Sequence, residues 1–159
     1  MLIVVESIVT CFVILILCVV GIANGPIGLV TLYEKDVKER VIELGLTTEK
    51  QIKKSTIIYS VAFLVPMFIL VPWMVYFING ARTFWDIFWQ ITIIILAEGL
   101  FDRLFIDWYW VGHTKAWIIP GTEDLMPYIP KKTVIKKWIS TIVTYPIFAA
   151  IVAWIIVSL

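Results

Sequence analysis

Four charged residues stand well inside an otherwise apolar run: Glu98, Asp102, Arg103 and Asp107 within residues 84–113, FWDIFWQITIIILAEGLFDRLFIDWYWVGH. A helix this long and apolar can cross a bilayer, and a carboxylate inside such a helix is costly unless a partner or water meets it. At about 100° per residue, Glu98 and Asp102 fall about 40° apart, one turn from each other on a single face. Arg103 and Asp107 are also four apart, on a face turned well away from the first. If the helix continues, Tyr109 and His113 project near the Glu98 face, beside the loop carrying Glu123 and Asp124. Two carboxylates one turn apart in a medium of low dielectric cannot both ionise cheaply, so one is expected to keep its proton.

That pattern admits three chemistries. The first is a proton or cation site, or a pocket for a small solute, in which Glu98 and Asp102 titrate and Arg103 with Asp107 is a supporting ion pair. The second is a membrane-embedded enzyme working on a lipid or isoprenoid at the inner leaflet, with the same two acids as general acid and base or as metal ligands. The third is structural: Arg103 neutralises a carboxylate, and Asp107, Glu123 and Asp124 tie the basic loops down in a non-catalytic accessory subunit. Whether the chain is an enzyme is left open by these residues.

His113 is the only histidine, so a multi-histidine metal centre cannot form within one chain and no metal site is expected. No Walker A, GxSxG, HExxH, CxxC or GxGxxG pattern occurs in a usable context, which disfavours ATP hydrolysis and thiol redox chemistry and leaves any cofactor unspecified. Cys11 and Cys18 share one apolar run seven residues apart, about 10 Å along a helix, too far to pair with each other.

The composition says where such a helix would lie. The chain has 159 residues, of which 61% are hydrophobic, 14% aromatic and only 16% charged. Soluble domains are about 45–50% apolar and about 25% charged. We therefore expect an all-α integral membrane protein: one domain over 1–159, a four-helix bundle with a cytoplasmic amphipathic helix. Spans are expected at about residues 2–23, 56–78, 84–110 and 134–158, joined by cytoplasmic segments at about 24–55 and 111–133. The net charge of +1 offers no field for nucleic acid. The partners expected are the lipid bilayer and, because four spans make a thin bundle, a second copy or another membrane subunit, with Ala149 and Ala153 as candidate contact points.

Local signals mark the boundaries. The first run has no Lys or Arg before it, carries Glu6 and exceeds a usual leader h-region, so it is expected to be a true span. Asn24-Gly25-Pro26 ends it. Val30, Tyr33, Val37, Val41 and Leu44 make an apolar helical stripe, Glu34–Lys38 and Asp36–Arg40 fit i,i+4 pairs, and Gly45 suits the C-terminal cap. Thr48-Glu49-Lys50-Gln51 reads as a capping box. Pro66 and Pro72 should distort the second span, and Asn79-Gly80 should turn the chain back. Trp89 to Trp108 is about 28 Å of helix, close to a hydrocarbon thickness of about 30 Å. Three prolines, at 120, 127 and 130, deny the next loop a long helix.

The basic residues divide cleanly. Lys35, Lys38, Arg40, Lys50, Lys53 and Lys54 precede the second span, and Lys115, Lys131, Lys132, Lys136 and Lys137 precede or open the fourth. The turn between the second and third spans holds only Arg82. By the positive-inside rule both rich segments face the cytoplasm, the protein is multi-pass in the cytoplasmic membrane, and both termini lie outside.

The run Phe101-Asp102-Arg103-Leu104-Phe105-Ile106-Asp107-Trp108, followed by Ile119-Pro120-Gly121-Thr122-Glu123, resembles a pattern of small bacterial polytopic membrane proteins. The resemblance covers only these two stretches and implies no activity. It implies that an acidic third span and a Pro-Gly-Thr-Glu loop act as a unit, with Asp102, Asp107 and Glu123 together.

Overall fold

The computed structural model describes residues 1–158 and is helical, with no strand among the described residues. Four helices are long and apolar enough to cross a membrane: α1 (Leu2–Ile22), α3 (Glu49–Ile78), α4 (Phe84–Val111) and α5 (Lys131–Ser158). A short polar helix, α2 (Lys35–Glu43), stands between the first two. α4 is the central element, packed chiefly against α1 and α5, with α3 closing on it through Val71, Met74 and Val75.

Local chemistry accounts for the boundaries. Gly45 takes φ 70° after α2, where Leu46 N–H bonds back to Val41 O and Gly45 N–H to Ile42 O, a doubly bonded C-cap that an L side chain would strain. Thr48 and Gln51 form the expected capping box. That box opens α3 itself, so the second long helix starts at Glu49 rather than near residue 56 and carries Lys50, Lys53 and Lys54 on its first turns. Pro66 and Pro72 have no N–H to donate. The helix passes them without breaking, by wide i→i+5 turns at Pro66–Leu70 and Met74–Ile78. Gly80 makes the return turn at φ 66°, and Thr83 caps α4 by accepting from Asp86 N–H at 3.2 Å. α5 begins at Lys131, three residues before the expected start.

The apolar stripe is split between two elements. Val30 sits in a 3₁₀ turn over Pro26–Leu32 and Tyr33 just after it, while Val37 and Val41 come from α2; all four are buried, and Leu44 is exposed. The two expected pairs along α2 do not form. Glu34 accepts a 2.5 Å hydrogen bond from Thr133, Asp36 accepts from the Val37 N–H at 2.8 Å, and Lys35 pairs with Glu39 at 3.0 Å. α2 is therefore a packed helix under the ends of the long ones.

Two apolar clusters result. One gathers Leu29, Val30, Tyr33, Val37 and Val41 with Ile106, Val111, Trp117, Ile119 and Tyr128 at the Lys-rich end. The other joins Val71, Val75, Ile87, Ile91, Ile94 and Ile95 with Ala149 and Ala153 toward the opposite end. The two alanines are fully buried within the chain. Their small side chains bring α5 close to α4, which corrects the expectation that they lie open to a second copy. Gly99 serves the same approach: a Cβ there would lie 2.8 Å from Thr141 Cγ2 and 2.9 Å from Tyr145 Cε2. The outward faces of α1, α3 and α5 carry large exposed apolar side chains, among them Phe12, Ile57, Phe68, Ile139, Ile147 and Trp154.

Candidate acidic site in the third long helix

Glu98 and Asp102 lie on α4 between the two apolar clusters, and both line a cavity of about 400 Å³. α1 contributes Ile14 and Cys18 to its walls, α3 contributes Phe63, Leu64 and Met67, and α5 contributes Lys137 and Tyr145. Leu32, Tyr33, Trp117 and Ile129, from the segments at the Lys-rich end, close that side. The volume falls in the range of small-molecule sites, about 300–1,000 Å³.

Beside Glu98 runs a chain of four charges. Arg103 Nη1 is 2.9 Å from Asp102 Oδ2 and also pairs with Asp107. Lys137 Nζ stands 3.0 Å from each Asp107 carboxylate oxygen. Arg103 Nε reaches the Thr141 hydroxyl at 3.5 Å. Two acids and two bases cancel, and the side chains of Arg103 and Asp107 are each only 13% exposed. Glu98 stands outside this sum. It is 8% exposed, makes neither an ion pair nor a side-chain hydrogen bond with the described residues, and faces the cavity. A buried carboxylate with no basic partner requires a proton, a cation or water to offset its desolvation.

The helical wheel places Arg103 and Asp107 away from Glu98, yet they line the same cavity. From Asp102 to Val111 the helix runs in i→i+5 turns, so each residue is rotated less than an α-helix would rotate it. The same change carries Tyr109 outward, where it is exposed and packs on Phe105 at 5.8 Å between centroids. Tyr109 is not brought to the acids. His113 is exposed, with Nδ1 2.6 Å from Trp108 O and its ring edge-on to Trp108.

Glu123 and Asp124 are exposed and separate from the quartet. Glu123 accepts from the Gly121 N–H at 2.9 Å, closing the turn after Pro120. Asp124 takes two contacts from Arg40, at 3.2 and 3.4 Å, tying the loop to α2. Of the three acids that the resemblance groups, Asp102 and Asp107 are joined through Arg103 and Glu123 is not. The loop folds back into the chain: Trp117, Ile119, Thr122 and Tyr128 are buried, and Tyr128 Oη accepts from the Ile119 N–H at 2.9 Å. Burial, with Tyr128 beside it, pushes the Tyr33 phenol up, so it stays neutral in the cavity wall.

Sequence reasoning missed Lys137, Thr141 and Tyr145. The signal is present as an i,i+4 series on α5 (137, 141, 145, 149, 153), whose first three members are polar and whose last two are alanine. A second, larger groove of about 740 Å³ lies across the quartet, between α4 and α5. Arg103 and Asp107 line both spaces, so the ion pairs form part of the wall between them. Leu104, Trp108, Ile135 and Trp138 make the groove apolar, and His113 and Lys131 stand at its rim. Among the described residues no group of three or more His, Cys, Asp or Glu side chains is placed to hold a metal.

No family model, curated protein or solved structure matches the chain.

Proposed function

We propose that the chain is a small multi-pass protein of the cytoplasmic membrane, with both termini outside, that takes up and releases a proton, a cation or a small cationic solute at Glu98. The observation that carries this reading is the unpaired Glu98 carboxylate, buried on the wall of a 400 Å³ cavity beside a quartet whose charges already cancel. The net negative charge of the site then appears only when Glu98 ionises, and an entering cation restores neutrality. Asp102 belongs to the same wall and couples Glu98 to the ion pairs. The cavity's neighbours at the Lys-rich end make the cytoplasm the side of exchange. The exposed apolar faces of the long helices support burial in lipid, where every backbone group must be satisfied within a helix.

A second reading, an enzyme on a lipid or isoprenoid substrate, is favoured by the 740 Å³ groove, which is apolar along α4 and α5 with Lys131 and His113 at its rim. A flux assay separates the two. Purified protein in proteoliposomes should carry a cation or proton current that falls at least about tenfold in Glu98→Gln. Flux in Glu98→Gln equal to that of the wild type at every pH removes the proposal. Groove substitutions such as Ile135→Trp should leave the flux intact.

A further inference from the structure

Glu6 is a second carboxylate buried in the fold, on α1 and away from the quartet. It is 4% exposed. Asn79, at the turn after α3, donates from Nδ2 to Glu6 Oε2 at 2.9 Å and to Gln90 Oε1 on α4 at 2.8 Å. Three elements thus converge on one polar point. α1 lies beside α4, with Cys11 Sγ 3.9 Å from Ala97 O. By the helical rise, Glu6 is then about 9 Å further from the Lys-rich end than Glu98 is.

The hydrogen bonding there is unbalanced. Asn79 Nδ2 spends both its protons, on Glu6 and Gln90. Glu6 Oε1 and Asn79 Oδ1 are each buried with no hydrogen-bond partner. Both are acceptors, and an orphaned buried acceptor is destabilising, the more so when charged. Two buried acceptors, one of them on a carboxyl group, are therefore left over, and no Lys or Arg pairs with Glu6 among the described residues. Arg82, the only Lys or Arg between Lys54 and Arg103, is committed elsewhere: it donates to Tyr76 O and Ala81 O, at 2.5 and 2.9 Å, and its guanidinium stacks 3.9 Å from the Tyr76 ring centre. On α4 the nearest ionisable groups in sequence are Asp86, held by the Thr83 hydroxyl at 2.6 Å, and Glu98 two turns further on.

We propose that Glu6, Asn79 and Gln90 form a binding site for one monovalent cation. Glu6 supplies the charge and Oε1, Asn79 supplies Oδ1, and Gln90 Oε1 completes an all-oxygen set. Hard cations take oxygen ligands, and a single carboxylate balances a single positive charge. The site rests on its own geometry and does not require Glu98 to exchange anything.

The test is thermal unfolding of the purified full-length chain in detergent, in two arms. One exchanges sodium chloride for choline chloride at fixed pH and ionic strength. The other lowers the pH in choline chloride alone. At a cation concentration about ten times Kd, binding should raise Tm by about 3–5 °C. The rise should vanish in Glu6→Gln, whose amide brings the missing donor and so should fold at least as well as the wild type. It should persist in Glu98→Gln, which separates this site from the one above. Gln90→Glu, with a second carboxylate, should lower the cation concentration needed by about tenfold. A response in the sodium arm identifies an alkali ion. Absence of that response in the wild type, a response in the pH arm alone, or a rise undiminished in Glu6→Gln overturns the proposal.

Discussion

Replacing Lys137 by Met is the sharpest perturbation of the charge quartet. The ammonium makes two 3.0 Å contacts with Asp107, and its side chain is 30% exposed against 13% for Asp107. Charge-assisted hydrogen bonds contribute about 1.5–3 kcal/mol, and breaking a fully buried pair costs about 3–5 kcal/mol. The water that reaches Lys137 lowers that figure, so Lys137→Met should cost about 2–3 kcal/mol. For a chain of this size the loss corresponds to a fall in Tm of about 5–10 °C. The single change leaves the quartet with one excess negative charge, beside Glu98. Removing that charge as well, in Lys137→Met with Asp107→Asn, returns the group to neutrality through Arg103 and Asp102. The double variant should therefore recover about 1–3 kcal/mol relative to the sum of the two single changes. Thermal unfolding in mild detergent, followed by tryptophan fluorescence, measures the cycle. Strict additivity would refute the claim that these four side chains act as one neutral unit.

The remaining predictions concern the supports of the site. Gly99→Leu should destabilise the fold by about 1–3 kcal/mol or more, the cost seen when cores are overfilled, because its Cβ alone meets Thr141 and Tyr145 inside 3.0 Å; the same melting assay reads it as a lower Tm. Tyr33→Phe should change stability by less than about 1 kcal/mol at neutral pH, since the Tyr33 hydroxyl is buried without a partner. Its phenol is pushed above the ordinary value of about 10, so the unfolded chain gives up that proton first and stability falls as the pH rises past about 10; the fall should be smaller in Tyr33→Phe. Arg40→Ala should cost no more than about 1 kcal/mol, because the Asp124 pair is exposed, yet hydrogen exchange should quicken over residues 121–125 as the loop loses its tie to α2.

The long helices were legible because each rests on a local signal. The Thr48 capping box, the Gly45 cap, the Asn79-Gly80 turn and the tryptophans of α4 need only neighbouring residues, and the structure keeps all of them. Glu98 and Asp102 were found for a related reason: acids in an apolar run show in composition alone. What lay beyond reach depended on two things the pattern does not encode. The i→i+5 turns after Asp102 alter the rotation per residue, which moves Arg103 and Asp107 onto the cavity wall and Tyr109 off it. The partners of the acids also come from other helices. Lys137 counts only toward the division of basic residues until α5 is docked on α4, and Glu6 only against a leader segment until Asn79 and Gln90 meet it. On α2, the predicted pairs yielded to Asp124 and Thr133, because a loop and a fourth helix arrive there that spacing along one helix cannot announce.

Infrared difference spectroscopy on the chain in lipid bilayers reads the state of Glu98 directly. A carboxyl C=O band should gain or lose intensity when pH or cation concentration changes on the side of the Lys-rich segments, and that change should be missing from Glu98→Gln and retained in Glu6→Gln. A spectrum in which no carboxyl band responds, or in which the responding band survives in Glu98→Gln, contradicts the assignment of Glu98 as the exchanging group.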